Sequence, residues 1–417
     1  MSSSSEQGYT KQKTAGVRGG PERIVVGLSG GMQSAVAAAL LKAQGLIVHG
    51  VHLSLEGEST AAFPTRCRRQ AASSVESARE LARVLDIPLD IISVEEQFKA
   101  QVEDPFFHDR LNQKATSACG HCHVRVKIGA LLAAATERGI QRVATGHGAV
   151  IHYDASSKCH RLQRANDLEQ DQAGMLVGLS QDQMGRLFFP LGDLSKIIVQ
   201  RLAAEISEKL GSKLSNDPDR SRECLRNEAD VESIFRKRLP PYFHNPGAIR
   251  TGSGSMVGEH RGLWQYFAGK PLTLDKQKFA HEKSELVVAY LDSTQASFVV
   301  APRSDWPSKR WLLENFQQTR PINLLLPATV LVQLPESKAF WPERPAEVTG
   351  LLLPLEGGRV MLDLGEEKVP LMAGETLVFS QGPEVIGSAR VLAYLDFGGQ
   401  IKTGGRSVSA QWEGESP

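Results

Sequence analysis

Between residues 22 and 145 the chain repeats one pattern: a short β-branched apolar run, a turn of small residues, then a segment rich in alanine and leucine. Ile24-Val25-Val26 has no polar interruption and predicts a buried strand, while Ala35 to Leu41 predicts a helix ending near Gly45. The same reading predicts strands over Leu46–Leu53, Leu89–Val94 and Arg142–Thr145, with helices over Ser73–Leu85 and His123–Glu137. Strands alternating with helices at this spacing imply an α/β fold, a doubly wound parallel sheet covered on both faces. Past residue 145 the rhythm weakens until Ser195-Lys196 opens a helix to about Leu210. From about 284 onward, alternating runs such as Glu285–Leu291 and Thr376–Phe379, separated by Pro and Gly turns, favour an all-β barrel. A chain of 417 residues is longer than one core usually supports. The expected organisation is a disordered tail over 1–20, an α/β domain over 21–210, a small central connecting domain over 211–283 and a barrel over 284–410.

Composition narrows the function classes. Lys plus Arg number 48 against 47 Asp plus Glu, so there is no global basic field. Any nucleic-acid contact must come from local clusters such as Arg66, Arg68 and Arg69 or Arg236, Lys237 and Arg238. Five cysteines without a secretory pattern point to a reducing, cytoplasmic compartment in which thiols do chemistry or bind metal. No apolar run is long enough to cross a bilayer.

Candidate chemistry begins at the first turn. Across Gly27, Leu28, Ser29, Gly30, Gly31, Met32, Gln33, Ser34 and Ala35, three glycines let the backbone approach a ligand closely. The amides that open the next helix point outward with the positive end of its dipole, which makes an anion cradle. No lysine follows the glycines as in a Walker loop, and the spacing is not G-x-G-x-x-G. The order Ser-Gly-Gly-x-x-Ser resembles the PP-loop of ATP pyrophosphatases. At the carboxyl ends of neighbouring strands, Leu53 is placed to touch a nucleotide base, and Gly146-His147 to make a further ligand contact.

Cys119-Gly120-His121-Cys122-His123 precedes a helix, where a positive dipole end favours thiolate. A lone C-x-x-C reads as a redox pair, half a metal site or one nucleophile with a bystander. Cys224, in a polar loop, is a third thiol that folding could bring to the same place. Cys67 and Cys159 read as structural or incidental thiols.

Taken in order, the Ser29–Ser34 loop, the C-x-x-C leading into Val126-Lys127-Ile128, Ala144-Thr145-Gly146-His147 and Asp171-Gln172 resemble the tRNA-specific 2-thiouridylase (MnmA/TrmU) family. The resemblance continues through Phe189–Lys196, Cys224 and Gly258-Glu259-His260-Arg261-Gly262. It implies that ATP, with magnesium, adenylates the O2 of a wobble uridine in tRNA. It also implies that Cys122 is the nucleophile and Cys224 a persulfide carrier loaded by a persulfide or sulfide donor protein, with a Cys122–Cys224 disulfide closing the cycle. A rival within the family holds a [4Fe-4S] cluster on three cysteines, here Cys119, Cys122 and Cys224. RNA contacts are implied at His147, Gln170, Asp171, Gln172 and Glu375. The chain departs from the family at Gln33, where the loop usually has aspartate, and a neutral amide is a weaker magnesium ligand. Gln170 likewise replaces a lysine. These departures sustain the alternative of a weakened paralogue that acts on another substrate or only binds RNA or a metal cluster.

Overall fold

The structure is a computed structural model and describes residues 22–55, 71–115, 118–212, 214, 232, 235–239, 244–272, 285–306, 308–321, 326–335, 340–355, 359–395, 401–403 and 406–408. The expected tail, the Arg66/Arg68/Arg69 cluster, Cys67 and Cys224 lie outside the described residues.

The first unit runs β1 (Arg23–Gly27), α1 (Met32–Ala43), β2 (Ile47–Ser54), α2 (Ala71–Leu85) and β3 (Leu89–Ser93). Two helical stretches follow, each containing a π-turn segment. The first, α3, joins Glu95–Phe98, Lys99–Glu103 and Asp104–Leu111; the second, α4, joins Cys119–His121, Cys122–Ile128 and Gly129–Glu137. β4 (Arg142–Ala144), a hairpin of β5 (Ala149–Asp154) and β6 (Cys159–Arg164), α5 (Gln181–Arg186), β7 (Leu187–Phe188) and α6 (Lys196–Leu210) complete it.

The strands order as β3-β2-β1-β4-β7, all parallel. Side chains alternate across β1, and both faces are covered. Ile24, Val26 and Leu28 pack with Val36 and Leu41 of α1, Leu81 of α2 and Val199 of α6. Val25 packs on the opposite face with Ile128 and Leu131 of α4. A strand buried on both faces needs an apolar residue at every position, which is why its sequence shows no alternation. The sheet grows to one side of β1 through β2 and to the other through β4. That reversal opens a crevice at the carboxyl ends of β1 and β4, where ligands bind in open α/β sheets.

A second sheet orders as β10-β11-β12-β8-β9, from β8 (Gly247–Thr251), β9 (Met256–His260), β10 (Pro271–Leu272), β11 (Leu286–Asp292) and β12 (Ser297–Pro302). The run Glu285–Leu291, expected among the barrel strands, therefore belongs to this sheet. Alternation identifies a strand but not its neighbour; here β12 pairs in parallel with β8, and β11 follows it as the hairpin partner.

The barrel itself is β13 (Arg310–Gln318), β14 (Ala328–Gln333), β15 (Glu347–Pro354), β16 (Val360–Asp363), β17 (Thr376–Gln381) and β18 (Glu384–Leu395). It orders as β13-β16-β15-β14-β17-β18 and closes by pairing of β13 with β18. Closure leaves no open edge and encloses a core that includes Trp311, Leu313, Val332, Leu362 and Phe379.

Two seams join the barrel to the first unit. β6 pairs with β18 at Gln163 and Glu384, and Arg164 is paired with Asp171 at 2.8 Å and with Glu347 at 2.6 Å. The approach to α4 is tied as well: the Ala115 amide donates to the Ala373 carbonyl at 2.6 Å, Lys114 pairs with Glu314 at 2.8 Å, and Arg390 pairs with Asp109 at 2.9 Å. Gly374 is required at this seam, because its φ of +92° suits glycine and the Ala115 carbonyl fills the space a Cβ would need. Among the described residues no helix is long and apolar enough to cross a membrane.

Candidate nucleotide and thiol site

The loop from Gly27 to Ala35 sits at the crevice between β1 and β4. Two of its apolar members are buried anchors, Leu28 and Ala35, and the Leu28 amide donates to the Val51 carbonyl at 2.8 Å. Met32 is half-buried on the same core, while Ser29 is exposed at the tip. Ser34 shapes the turn, since its Oγ donates to the Gly31 carbonyl at 2.9 Å and accepts from the Ser29 amide at 3.2 Å. Gly30 has φ +75°, and a Cβ there would lie 2.8 Å from the Ser74 carbonyl oxygen, so the turn demands glycine for both conformation and space. Gly31 caps α1 without a side-chain bond, and no acidic residue lies in the first turn. The 12-residue helix thus presents an uncapped, unneutralised positive end, suited to the phosphates of a nucleotide.

Three neighbours complete this side of the crevice. Leu53 is half-buried and packs between the core beneath the sheet and the cluster around Cys122, consistent with a wall rather than a polar contact. Gly146 lies against the loop: a Cβ there would be 2.7 Å from the Gln33 carbonyl carbon and 2.9 Å from the Ser34 nitrogen. His52, which pattern reading passed over, is buried and donates from Nδ1 to the Leu28 carbonyl at 2.8 Å, so it holds the floor of the loop. His49 and His52, inside an otherwise mostly apolar strand, were the available signal.

The thiols come next. Cys119 and Cys122 are both buried in the first turns of α4, which starts four residues before the predicted His123. Cys122 packs against Phe98, Phe106, Val126, Phe235 and Trp264. His123 follows directly, and its Nδ1 is 2.6 Å from Nε2 of His147. His147 Nδ1 is in turn 2.6 Å from Thr145 Oγ1, and Lys127 Nζ is 3.2 Å from His123 Nε2. Burial, reinforced by the Lys127 charge, lowers the His123 pKa far below the ordinary histidine value and that of His147 to about 3. Both rings are neutral at physiological pH. Lys127 belongs to the motif that follows the C-x-x-C, but the bond from His123 to His147 carried no sequence signal, because it depends on α4 packing against β4.

The residues expected to meet RNA are mostly engaged inside the protein. His147 uses both ring nitrogens as described, and its ring meets Phe189 edge-on at 5.8 Å. Gln170 Nε2 donates to the Leu194 carbonyl at 3.1 Å. Asp171 accepts from Arg164 and from the amides of Ala165 and Ala173, and buried Gln172 accepts from the Gly148 amide at 3.1 Å. Glu375 is buried rather than facing outward, its carboxylate gripped by both Nη atoms of Arg344 at 2.8 and 2.9 Å. Burial pushes the Glu375 carboxyl up, opposed by the Arg344 charge. In the second basic cluster, Arg236 pairs with Glu232, and Arg238 pairs with buried Glu103 at 3.0 Å while lying over the Phe107 ring.

The donor set limits which groups the site can hold. Magnesium prefers anionic oxygen, but the loop offers backbone amides, two hydroxyls and the Gln33 amide, so its residues alone do not fit the ion. Among the described residues no three His, Cys, Asp or Glu side chains cluster as metal ligands; Cys224, the third member of the expected iron–sulfur set, lies outside those residues.

A parallel sheet with a glycine loop at its switch point and an uncapped helix over that loop defines a nucleotide-binding α/β domain. A protein-family profile described as tRNA methyl transferase HUP domain matches residues 22–220. Along the longer chain, similarity extends through the barrel. The tRNA-specific 2-thiouridylase MnmA of Moorella thermoacetica is 31% identical over 377 residues, covering 88% of this chain and 98% of its own. The corresponding protein of Heliobacterium modesticaldum is 29% identical over 378 residues, covering 90% and 94%. That of Bartonella tribocorum is 35% identical over 290 residues, covering 68% of each chain. The chain belongs to the MnmA family.

Proposed function

We propose that this chain is an ATP-dependent tRNA uridine 2-sulfurtransferase. The uridine O2 attacks the α-phosphorus of ATP held over the Gly27–Ala35 loop, and pyrophosphate leaves. Adenylation turns a poor leaving group into AMP. The terminal sulfur of a persulfide on Cys224, loaded by a donor protein, then attacks C2 and AMP departs with the oxygen. Cys122 attacks the inner sulfur of Cys224, so the S–S bond to the transferred atom breaks and a Cys122–Cys224 disulfide forms, to be reduced by an external thiol.

The observation that carries this reading is the joining of the cysteine helix to the nucleotide crevice. Cys122 is followed by His123, which bonds His147, and His147 follows the Gly146 that abuts the loop at Gln33 and Ser34. Family membership supports tRNA as the substrate. Purified protein supplied with ATP, magnesium, a persulfide donor and unmodified tRNA should yield 2-thiouridine by nucleoside mass spectrometry, and Cys122→Ser should abolish it. Absence of product from folded wild-type protein overturns the reading.

A further inference from the structure

The chain Lys127–His123–His147–Thr145 runs from the cysteine helix to the tip of β4 through contacts of 3.2, 2.6 and 2.6 Å. An ammonium group donates hydrogen bonds and cannot accept them. Lys127 therefore makes His123 Nε2 an acceptor, which leaves the His123 proton on Nδ1, directed at His147. His147 Nε2 is then the acceptor, and its own proton lies on Nδ1 towards Thr145 Oγ1. One cation at the end of the chain sets the direction of all three bonds. Burial of His123 removes water as a competing partner.

We propose that His123 is a positioning residue. By donating to His147 it holds the helix bearing Cys119 and Cys122 in fixed register with Gly146 and the nucleotide loop. Register matters because the Cys122 thiol must reach the inner sulfur of the Cys224 persulfide while its outer sulfur is bonded to the uridine C2 activated at the nucleotide loop, and small misplacements of reacting groups lower rates steeply. The proposal rests on the thiolation reading.

His123→Leu removes the donor, whereas His123→Asn keeps an N–H close to the position of Nδ1. The expected result is a fall of about tenfold or more in kcat for 2-thiouridine formation with Leu, a change in the KM for ATP of less than about twofold, and recovery of most of the lost kcat with Asn. Independently of activity, long-range 1H–15N spectra of wild-type protein should show His147 protonated on Nδ1 alone. If wild-type protein thiolates tRNA and the Leu variant matches its kcat, the positioning role is overturned while the thiolation reading stands. An Asn variant no better than Leu, or a wild-type His147 protonated on Nε2, overturns it even where the Leu variant fails to fold.

Discussion

Gly146 stands against the carbonyl of Gln33, with room for a hydrogen and for nothing larger: a Cβ would lie 2.7 Å from the carbonyl carbon and 2.8 Å from its oxygen. Those atoms are backbone at the start of α1, so they cannot swing aside as a side chain could. Gly146→Ala should push the loop out of its phosphate-binding shape. Overpacking of this kind costs about 1–3 kcal/mol, and the expected outcome is a rise in the KM for ATP together with a lower urea midpoint, read by pyrophosphate release and by denaturation.

Gln33 occupies the half-buried second position of α1, beside the uncapped helix start. Gln33→Asp adds the carboxylate oxygen that a hard cation prefers. ATP turnover should rise and its magnesium requirement should fall. Turnover unchanged across a magnesium titration would mean that another group already supplies the anionic ligand.

The neutral ring of His147 predicts a pH dependence of stability. An unfolded histidine titrates near about 6.5, whereas His147 in the folded chain is lowered to about 3 by burial and by Lys127. Between those values the unfolded chain binds the extra proton. The contribution of His147 is therefore complete above about pH 6.5 and is lost progressively as the pH falls towards 3. Urea midpoints should drop on acidification in this window, and His147→Gln should drop less. Equal slopes for the two proteins would show that His147 is not a titrating element.

Arg344 and Glu375 form a buried, two-pronged ion pair. Removing one partner leaves the other charge without compensation and typically costs about 3–5 kcal/mol. Arg344→Met should destabilise the barrel by that order, and the double variant Arg344→Met with Glu375→Gln should recover part of the loss. Chemical denaturation of the single and double variants measures the coupling.

The elements whose signal is local were legible in the sequence. β1, the glycine turn and α1 follow from an uninterrupted apolar run, three glycines and an alanine-rich segment, and α6 from Ser195, whose hydroxyl accepts from the Ile198 amide at 3.5 Å. Less legible was whatever depends on a distant partner. The β5–β6 hairpin was missed although Asp154-Ala155-Ser156-Ser157-Lys158 has turn chemistry, with Asp154 accepting from the Ser156 amide at 3.0 Å. β11 was recognised as a strand but assigned to the wrong sheet, because pairing is decided by β12 and β8. Within the site, the loop could be read from its residue order, but the His123–His147 bond could not. Their 24-residue separation is bridged by the packing of α4 on β4, which no local pattern encodes.

The amide of Ala115, shortly before Cys119, is held by the carbonyl of Ala373 in the barrel. A nascent chain therefore lacks the partner that fixes the approach to its cysteines until roughly 260 further residues have been made, on the order of 13–50 s at ribosomal speeds of about 5–20 residues/s. During that interval the nucleotide loop can already form from local contacts, while the segment entering the thiol helix waits for its barrel anchors, Ala373 and then Arg390. Truncations ahead of Ala373 would leave those anchors permanently missing.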